Sequence, residues 1–142
     1  MNNVASVLRN KTYTVCSTEC ETPVIDALKI MEEKNIGSLL VLENGQYKGI
    51  MTERDYARKV VLRGKTSAEV NVKDIMETNL PTLKPSDSID HCMALMKENH
   101  IRYLPVFDNE KLVGVISMSD VVGAIIHQQK ETISQLKEYI HS

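Results

Sequence analysis

Gly49-Ile-Met-Thr-Glu-Arg-Asp55 has a counterpart 65 residues further on, Gly114-Val-Ile-Ser-Met-Ser-Asp120. In both stretches a glycine is followed by two apolar residues, a Thr or Ser, two variable positions and an aspartate. Working outward from them, the chain repeats itself. The same shift of 65 aligns residues 24–60 with residues 89–125 without a gap, and eight of the 37 pairs are identical, among them Met31/Met96, Ile36/Ile101, Leu39/Leu104, Val41/Val106 and Asp55/Asp120. Most other pairs keep polarity, as in Leu28/Met93, Ile50/Val115 and Thr52/Ser117. Upstream the offset becomes 68, matching Val4-Ala-Ser-Val-Leu8 to Val72-Lys-Asp-Ile-Met76, so the first copy carries three extra residues near Thr18 to Glu21. Two copies are too few for a solenoid, which needs three or more. A pseudo-two-fold pair packed face to face is expected instead.

Each copy reads in the same order. Val24, Ala27, Leu28 and Met31 fall on one helical face, as do Ile89, Cys92, Met93 and Met96. Thr22-Pro23 suggests a cap and a first-turn proline for the first helix, and Ser86 or Ser88 a cap for the second. Leu39-Leu-Val-Leu42 and Leu104-Pro-Val-Phe107 read as short buried strands. Asn44-Gly45 is a hairpin signal, with Asp108-Asn109-Glu110 its counterpart, leading into strands over residues 47–51 and 112–116. A helix follows Thr52 and Ser117. The fold class is therefore α/β, each repeat running strand-helix-strand-strand-helix. The expected organisation is repeat 1 over residues 1–62, a polar linker over 63–71, repeat 2 over 72–126, and a C-terminal amphipathic helix over 127–142. The stripe of that last helix, Ile133, Leu136 and Ile140, needs something to bury it.

Composition narrows the class without naming it. The 142 residues are 42% hydrophobic and 25% charged, with five Tyr, one Phe and no Trp, so an aliphatic globular core is expected. No apolar run reaches the roughly 18 residues of a membrane span, and the start lacks the pattern of a secretory signal. Three unevenly spaced cysteines, Cys16, Cys20 and Cys92, point to a reducing cytoplasm rather than a disulfide framework. A net charge of −2 gives no pull toward nucleic acid or membrane.

At the two Gly-to-Asp stretches the chain resembles the cystathionine-beta-synthase-type (CBS) family, and Ile101-Arg-Tyr-Leu-Pro-Val106 resembles that family's second strand, with Ile36-Gly-Ser-Leu-Leu-Val41 its variant without proline. The resemblance runs from about Val4 to Ile126, and Glu53-Arg-Asp-Tyr-Ala-Arg-Lys-Val60 is similar to stand-alone CBS-pair proteins. It implies tandem CBS repeats packed with pseudo-two-fold symmetry and two clefts between them. Adenosine-containing ligands would bind there: AMP, ADP, ATP, S-adenosylmethionine or an NAD-like dinucleotide. The aspartate would take the ribose hydroxyls and the Thr/Ser would approach phosphate or ribose. It also implies a non-enzymatic regulatory module without a catalytic cofactor, a homodimer, and a regulated protein of unknown identity.

Carried onto this chain, the first cleft would hold Thr52, Arg54 and Asp55, completed by Lys84, Ile101, Arg102, Tyr103 and Pro105. The second would hold Ser117, Ser119 and Asp120, completed by Thr14, Cys16, Ile36, Gly37 and Ser38. Three cations in the first cleft favour a phosphate-rich nucleotide; the second suits a less charged one. A carboxylate accepting vicinal hydroxyls makes short, strong bonds, and helix-opening amides suit an anion. Two plainer readings stand beside these. Thr52-x-x-Asp55 and Ser117-x-x-Asp120 are also capping boxes but for the length of the acid, and the arginines would then pair with surface acids. The clefts would be vestigial and the protein a ligand-independent assembly module. Other signals lead away from chemistry. Cys16-x-x-x-Cys20 lacks zinc spacing, leaving an idle, packed or redox-active thiol at Cys20. His91, His100, His127 and His141 have no nucleophile arranged beside them. The cations from Arg54 to Lys65 interleave with core positions and read as a solvated helix face.

Overall fold

The computed structural model describes residues 3–10 and 16–141. They form two compact units, one of residues 16–80 and the other of residues 3–10 with 81–141. The elements in order are α1 (Val4–Arg9), β1 (Ser17–Glu19), α2 (Val24–Lys34), β2 (Ser38–Glu43), β3 (Gln46–Thr52), α3 (Glu53–Tyr56), α4 (Ile89–Asn99), β4 (Tyr103–Asp108), β5 (Lys111–Ser117) and α5 (Met118–His141). A wide π turn at Ala57–Val61 extends α3, and a single 3₁₀ turn forms at Val72–Asp74.

In the unit of residues 16–80, α2 connects β1 to β2 as a parallel crossover, and β2 and β3 form an antiparallel hairpin, giving the order β1-β2-β3. The hairpin closes where Asn44 and Gly45 both take positive φ (51° and 80°), as a type I′ turn requires. One face of α2 meets the sheet through Val24, Ala27 and Met31, packed with Leu39, Val41 and Met51. The helix ends at Asn35 in the left-handed conformation, a position that Asn tolerates better than most residues. Thr22-Pro23 does not open α2 as the sequence suggests. Pro23 sits one place before the helix without a side-chain cap, and the first amides are satisfied from a distance. Val24 N–H donates to the Val70 carbonyl (2.8 Å) and Ile25 N–H to the Ser67 carbonyl (2.9 Å). The linker is therefore packed structure, with Val70 in the core.

The second unit repeats the plan. β4 and β5 have the burial pattern of β2 and β3, including an irregularity of register after Val106 that matches the one after Val41. Its first strand shrinks to one bridge, Leu83 to Val106, flanked by Leu83 N–H to Pro105 carbonyl (2.9 Å) and Phe107 N–H to Leu83 carbonyl (2.8 Å). Pro81 and Pro85 bracket Leu83, and prolines bring no N–H to a ladder. Ser88 caps α4, its hydroxyl accepting from His91 N–H at 3.0 Å. After Ser117 the chain is a single 24-residue helix, so the expected last repeat helix and C-terminal helix are one element.

Each core is completed by the segment that precedes the other repeat. Val72 and Ile75 are buried with residues of the first repeat, while Val4 and Val7 are buried with residues of the second. Val72 N–H donates to the Thr22 carbonyl (2.8 Å), and Val4 N–H to the Asp87 carbonyl (2.9 Å). Burying an aliphatic side chain of this size is worth roughly 1.5–3 kcal/mol, so the exchanged segments are integral to both cores.

The two motif glycines admit these segments. A Cβ on Gly49 would lie 2.5 Å from the Glu77 carbonyl oxygen, which already accepts from Ile50 N–H. A Cβ on Gly114 would lie 2.8 Å from a Leu8 methyl carbon. Backbone cannot yield as a leucine rotamer can. Gly49→Ala is expected to cost about 2–3 kcal/mol, in the range of overpacked cores, and Gly114→Ala under about 1 kcal/mol. Urea denaturation of the two variants checks the ranking, which equal losses would refute.

Candidate functional site

Each Thr/Ser-x-x-Asp turn stands where a third strand becomes a helix. Ser38 pairs with Thr52 at the end of the β2–β3 ladder, and Glu53 N–H donates to the Gly37 carbonyl at 3.2 Å. The equivalent bonds in the second unit pair Tyr103 with Ser117 and send Met118 N–H to the Arg102 carbonyl at 2.8 Å. One end of each sheet thus gathers the strand start and the helix start of the same repeat. Thr52, Arg54, Asp55, Ile36, Gly37 and Ser38 fall in the first unit, with Cys16 joined to β2 through its carbonyl, which accepts from Leu40 N–H (3.1 Å). Ile101, Arg102, Tyr103, Ser117, Ser119 and Asp120 fall in the second, with Pro105 buried mid-strand and Lys84 exposed just past Leu83. Thr14 lies outside the described residues.

Two amides at each turn are taken by the turn's own side chains. Asp55 N–H donates to Thr52 Oγ1 (3.1 Å), and Thr52 N–H and Oγ1 both donate to Asp55 Oδ2 (2.9 Å each). Asp120 N–H donates to Ser117 Oγ (3.1 Å), and Ser117 N–H to Asp120 Oδ2 (2.8 Å). Both turns are reciprocal capping boxes closed by aspartate.

What faces the two aspartates differs. Asp55 is buried, its side chain 6% exposed, and Lys59 Nζ stands 3.3 Å from Oδ1. Lys59 also reaches Glu77 Oε1 and the Ile75 carbonyl, each at 2.8 Å. Burial pushes the Asp55 carboxyl up, against the opposing pull of the Thr52 amide and Lys59. The Glu77 carboxyl is held low, chiefly by its hydrogen bond from Lys59. Asp120 is half-buried, and Ala124 occupies the position equivalent to Lys59. The basic run is thus a solvated face except at Lys59: Arg54, Arg58, Arg63 and Lys65 are exposed, while Lys59 ties α3 to the exchanged segment. The Asp55–Lys59 spacing of four is legible in the sequence, but the contact with Glu77, 18 positions away, is not. Of the readings open for Cys20 the packed one fits: it is part of the core, and burial, with Glu43 and Glu19 nearby, pushes its thiol up. A buried protonated thiol is a poor redox nucleophile. Burial pushes Cys92 up to about 11.

A duplicated unit whose third strand ends in a capped Thr/Ser-x-x-Asp turn defines a paired-repeat module. The chain belongs to the CBS-domain family, whose model matches residues 4–62 and 72–127. It is 38% identical over 130 residues to a CBS domain-containing protein of Arabidopsis thaliana described as mitochondrial, covering 88% of this chain and 62% of that protein. A solved protein with CBS domains from Burkholderia ambifaria is 44% identical, with a TM-score of 0.87 over 90% of this chain and 96% of that one. At 23% identity and a TM-score of 0.78, the CBS pair of protein MJ0100, solved with 5′-methylthioadenosine and S-adenosylmethionine, shares the fold over 90% of this chain and 98% of that one. Among the described residues no helix is long and apolar enough to cross a membrane.

Removing the shared cation is expected to strand Asp55 as a buried carboxylate. Breaking a fully buried pair costs roughly 3–5 kcal/mol, and the partial exposure of Lys59 reduces this, so Lys59→Met should cost about 2 kcal/mol. The Glu77 contact should contribute no more than about 1 kcal/mol. Because the folded pKa of Glu77 is lowered, its contribution is complete above the ordinary value of 4.5 and is lost as pH falls through the lowered value. Denaturation of the native chain and Glu77→Gln across acid pH should therefore show a gap that closes on acidification; a gap that widens would contradict the ion pair.

Proposed function

We propose that this chain is a regulatory module that binds an adenosine-containing nucleotide (AMP, ADP or ATP, or an NAD-like or S-adenosylmethionine-like ligand) at the strand-to-helix turns of its CBS repeats and signals occupancy to a partner protein. The observation carrying this reading is the matched pair of turns, each setting a carboxylate and a hydroxyl beside the start of its own second strand. The adenosine ligands of the MJ0100 pair, which has the same fold, support it. Three cysteines, odd in number and unevenly spaced at 16, 20 and 92, support a reducing compartment, for which we propose the cytoplasm.

The two turns are not equally suited. Asp55 would have to exchange Lys59 for a ribose, whereas Asp120 has alanine in that place and Arg102 joined by backbone to the same turn. We assign the principal ribose contact to Asp120, with Arg102 as the phosphate-facing cation. The contrary reading, a ligand-independent assembly module, draws on the same Lys59 contact, since an aspartate held by a lysine serves the fold.

Calorimetric titration of AMP and of S-adenosylmethionine separates these readings. Asp120→Ala is expected to weaken binding by tenfold or more. Asp55→Ala should weaken it less while lowering the melting temperature. Equal losses would remove the asymmetry. A thermal-shift panel of AMP, ADP, ATP, S-adenosylmethionine and NAD(H) that moves no midpoint would favour the assembly module, because a ligand of the native state must raise it.

A further inference from the structure

The π turn that extends α3 sets Val60 in the core five residues after Asp55 and leaves Ala57, Arg58, Val61 and Leu62 facing solvent. A Schellman motif closes the run: Gly64 N–H donates to the Val61 carbonyl (3.1 Å) and Lys65 N–H to the Val60 carbonyl (3.0 Å). An apolar residue frequently stands at the place of Lys65 in such a motif, packed back on the helix. Here that place holds an exposed cation. Val61 is 51% exposed and Leu62 76%. Arg58 and Arg63 are exposed beside them, and no acid stands at any position from 56 to 68. Of the four cations between 57 and 65, only Lys59 is paired with carboxylates among the described residues.

The second repeat is an internal control for this surface. At the offset of 65, Arg58, Leu62 and Arg63 correspond to Gly123, His127 and Gln128, while the strands before them keep the same burial pattern. The repeat fold therefore needs neither the arginines nor an exposed leucine. Apolar side chains set among arginines make up the centre of a protein interface, and the guanidinium fork matches a carboxylate. Other occupants fit less well. With a net charge of −2, the chain does not draw a long polyanion from beyond the Debye length of about 8 Å. The nearest aromatic, Tyr56, packs on the core and offers no platform for a base. Two apolar side chains are too few for a helix that lies in a membrane surface, and a two-fold contact here would bring two sets of cations together. We propose that residues 57–65 dock an acidic segment of another protein. Its carboxylates meet Arg58, Arg63 and Lys65, and an apolar side chain of the same segment covers Val61 and Leu62. The closed backbone keeps the ordering cost of that contact low. This gives the chemistry of the partner in the regulatory reading, and rests on that reading only for what the contact is for.

A random peptide library displayed on phage and selected against the full chain is expected to enrich segments in which Asp or Glu flanks Leu, Ile, Phe or Trp. An enriched peptide, made synthetically, should bind Arg58→Glu with Arg63→Glu at least tenfold more weakly. Leu62→Ser should weaken it several-fold, Arg58→Gln with Arg63→Gln should act in the same direction without reversing charge, and added salt should lower the affinity. Lys29→Glu with Lys34→Glu makes the same change of net charge at exposed positions of α2 and should leave binding within twofold. Enrichment of segments without acids, equal losses in the two glutamate pairs, or tighter binding of a single-stranded oligonucleotide or of phosphatidylserine vesicles through Arg58 would each overturn the proposal. Titration of AMP and S-adenosylmethionine into Arg58→Glu with Arg63→Glu should match the native chain. A failed selection with nucleotide binding intact would sink this surface alone, and a successful one without nucleotide binding would sink only the nucleotide reading.

Discussion

Two backbone hydrogen bonds hold the first unit closed: Ile50 N–H to the Glu77 carbonyl at 3.1 Å, and Glu77 N–H to the Ile50 carbonyl at 2.9 Å. They form only because residue 49 has no Cβ to fill the space taken by that carbonyl. With residue 77 fixed against β3, the turn before it delivers Val72 and Ile75 to the core, and Lys59 meets the Ile75 carbonyl and the Glu77 carboxylate together. Asp55, in the same ion cluster, caps the helix that follows β3. Motif glycine, motif aspartate and exchanged segment are thus one mechanical assembly.

Local pattern made most of the architecture legible. Strands, hairpins and the apolar faces of α2 and α4 are written in short-range spacing, and duplication let each reading be made twice. The parts that were not legible depend on residues far apart in sequence. The 68-residue offset matches Val4-to-Leu8 with Val72-to-Met76, but alignment cannot tell that each segment completes the other repeat's core. Thr22-Pro23 looked like a helix start on its own terms, and carbonyls of residues 67 and 70 displaced that reading. Lys59 reads as one more cation of a solvated face although Asp55 stands four residues before it, because the sequence announces neither the burial of Asp55 nor the contact with Glu77. Polar neighbours leave Cys20 open between a packed and a redox-active thiol, and the core that buries it decides for packing. For the site, the capped Thr/Ser-x-x-Asp turns were readable; the lysine held against only one of them was not.

The copies diverge where the first folds back on itself. After the π turn, Gly64 takes φ 69° in the left-handed region and ends the helical run. Its counterpart 65 residues later is Gln129, which continues α5. Lys59 becomes Ala124, and Glu77 corresponds, at the 68-residue offset, to Arg9. The first copy spends its helix end on an ion cluster; the second runs straight through the same position and carries exposed apolar side chains beyond it. A few positions convert a closing element into an extending one while both sheets keep the same pattern.

Duplicate caps do not by themselves imply duplicate ligand sites. A carboxylate has two oxygens and about four acceptor directions, and a capping box uses Oδ2 for the helix in both copies. Capacity for a ligand then turns on what faces the rest of the group. At Asp55 it is a lysine 3.3 Å from Oδ1, itself held by a second carboxylate and a backbone carbonyl, so a hydroxyl pair would have to displace a charge-assisted contact. At Asp120 the corresponding helix position holds Ala124, whose methyl group brings no charge to the carboxylate. Both repeats use the aspartate to cap a helix, and the residue four places further along, Lys59 in one and Ala124 in the other, makes the surroundings of the two carboxylates differ.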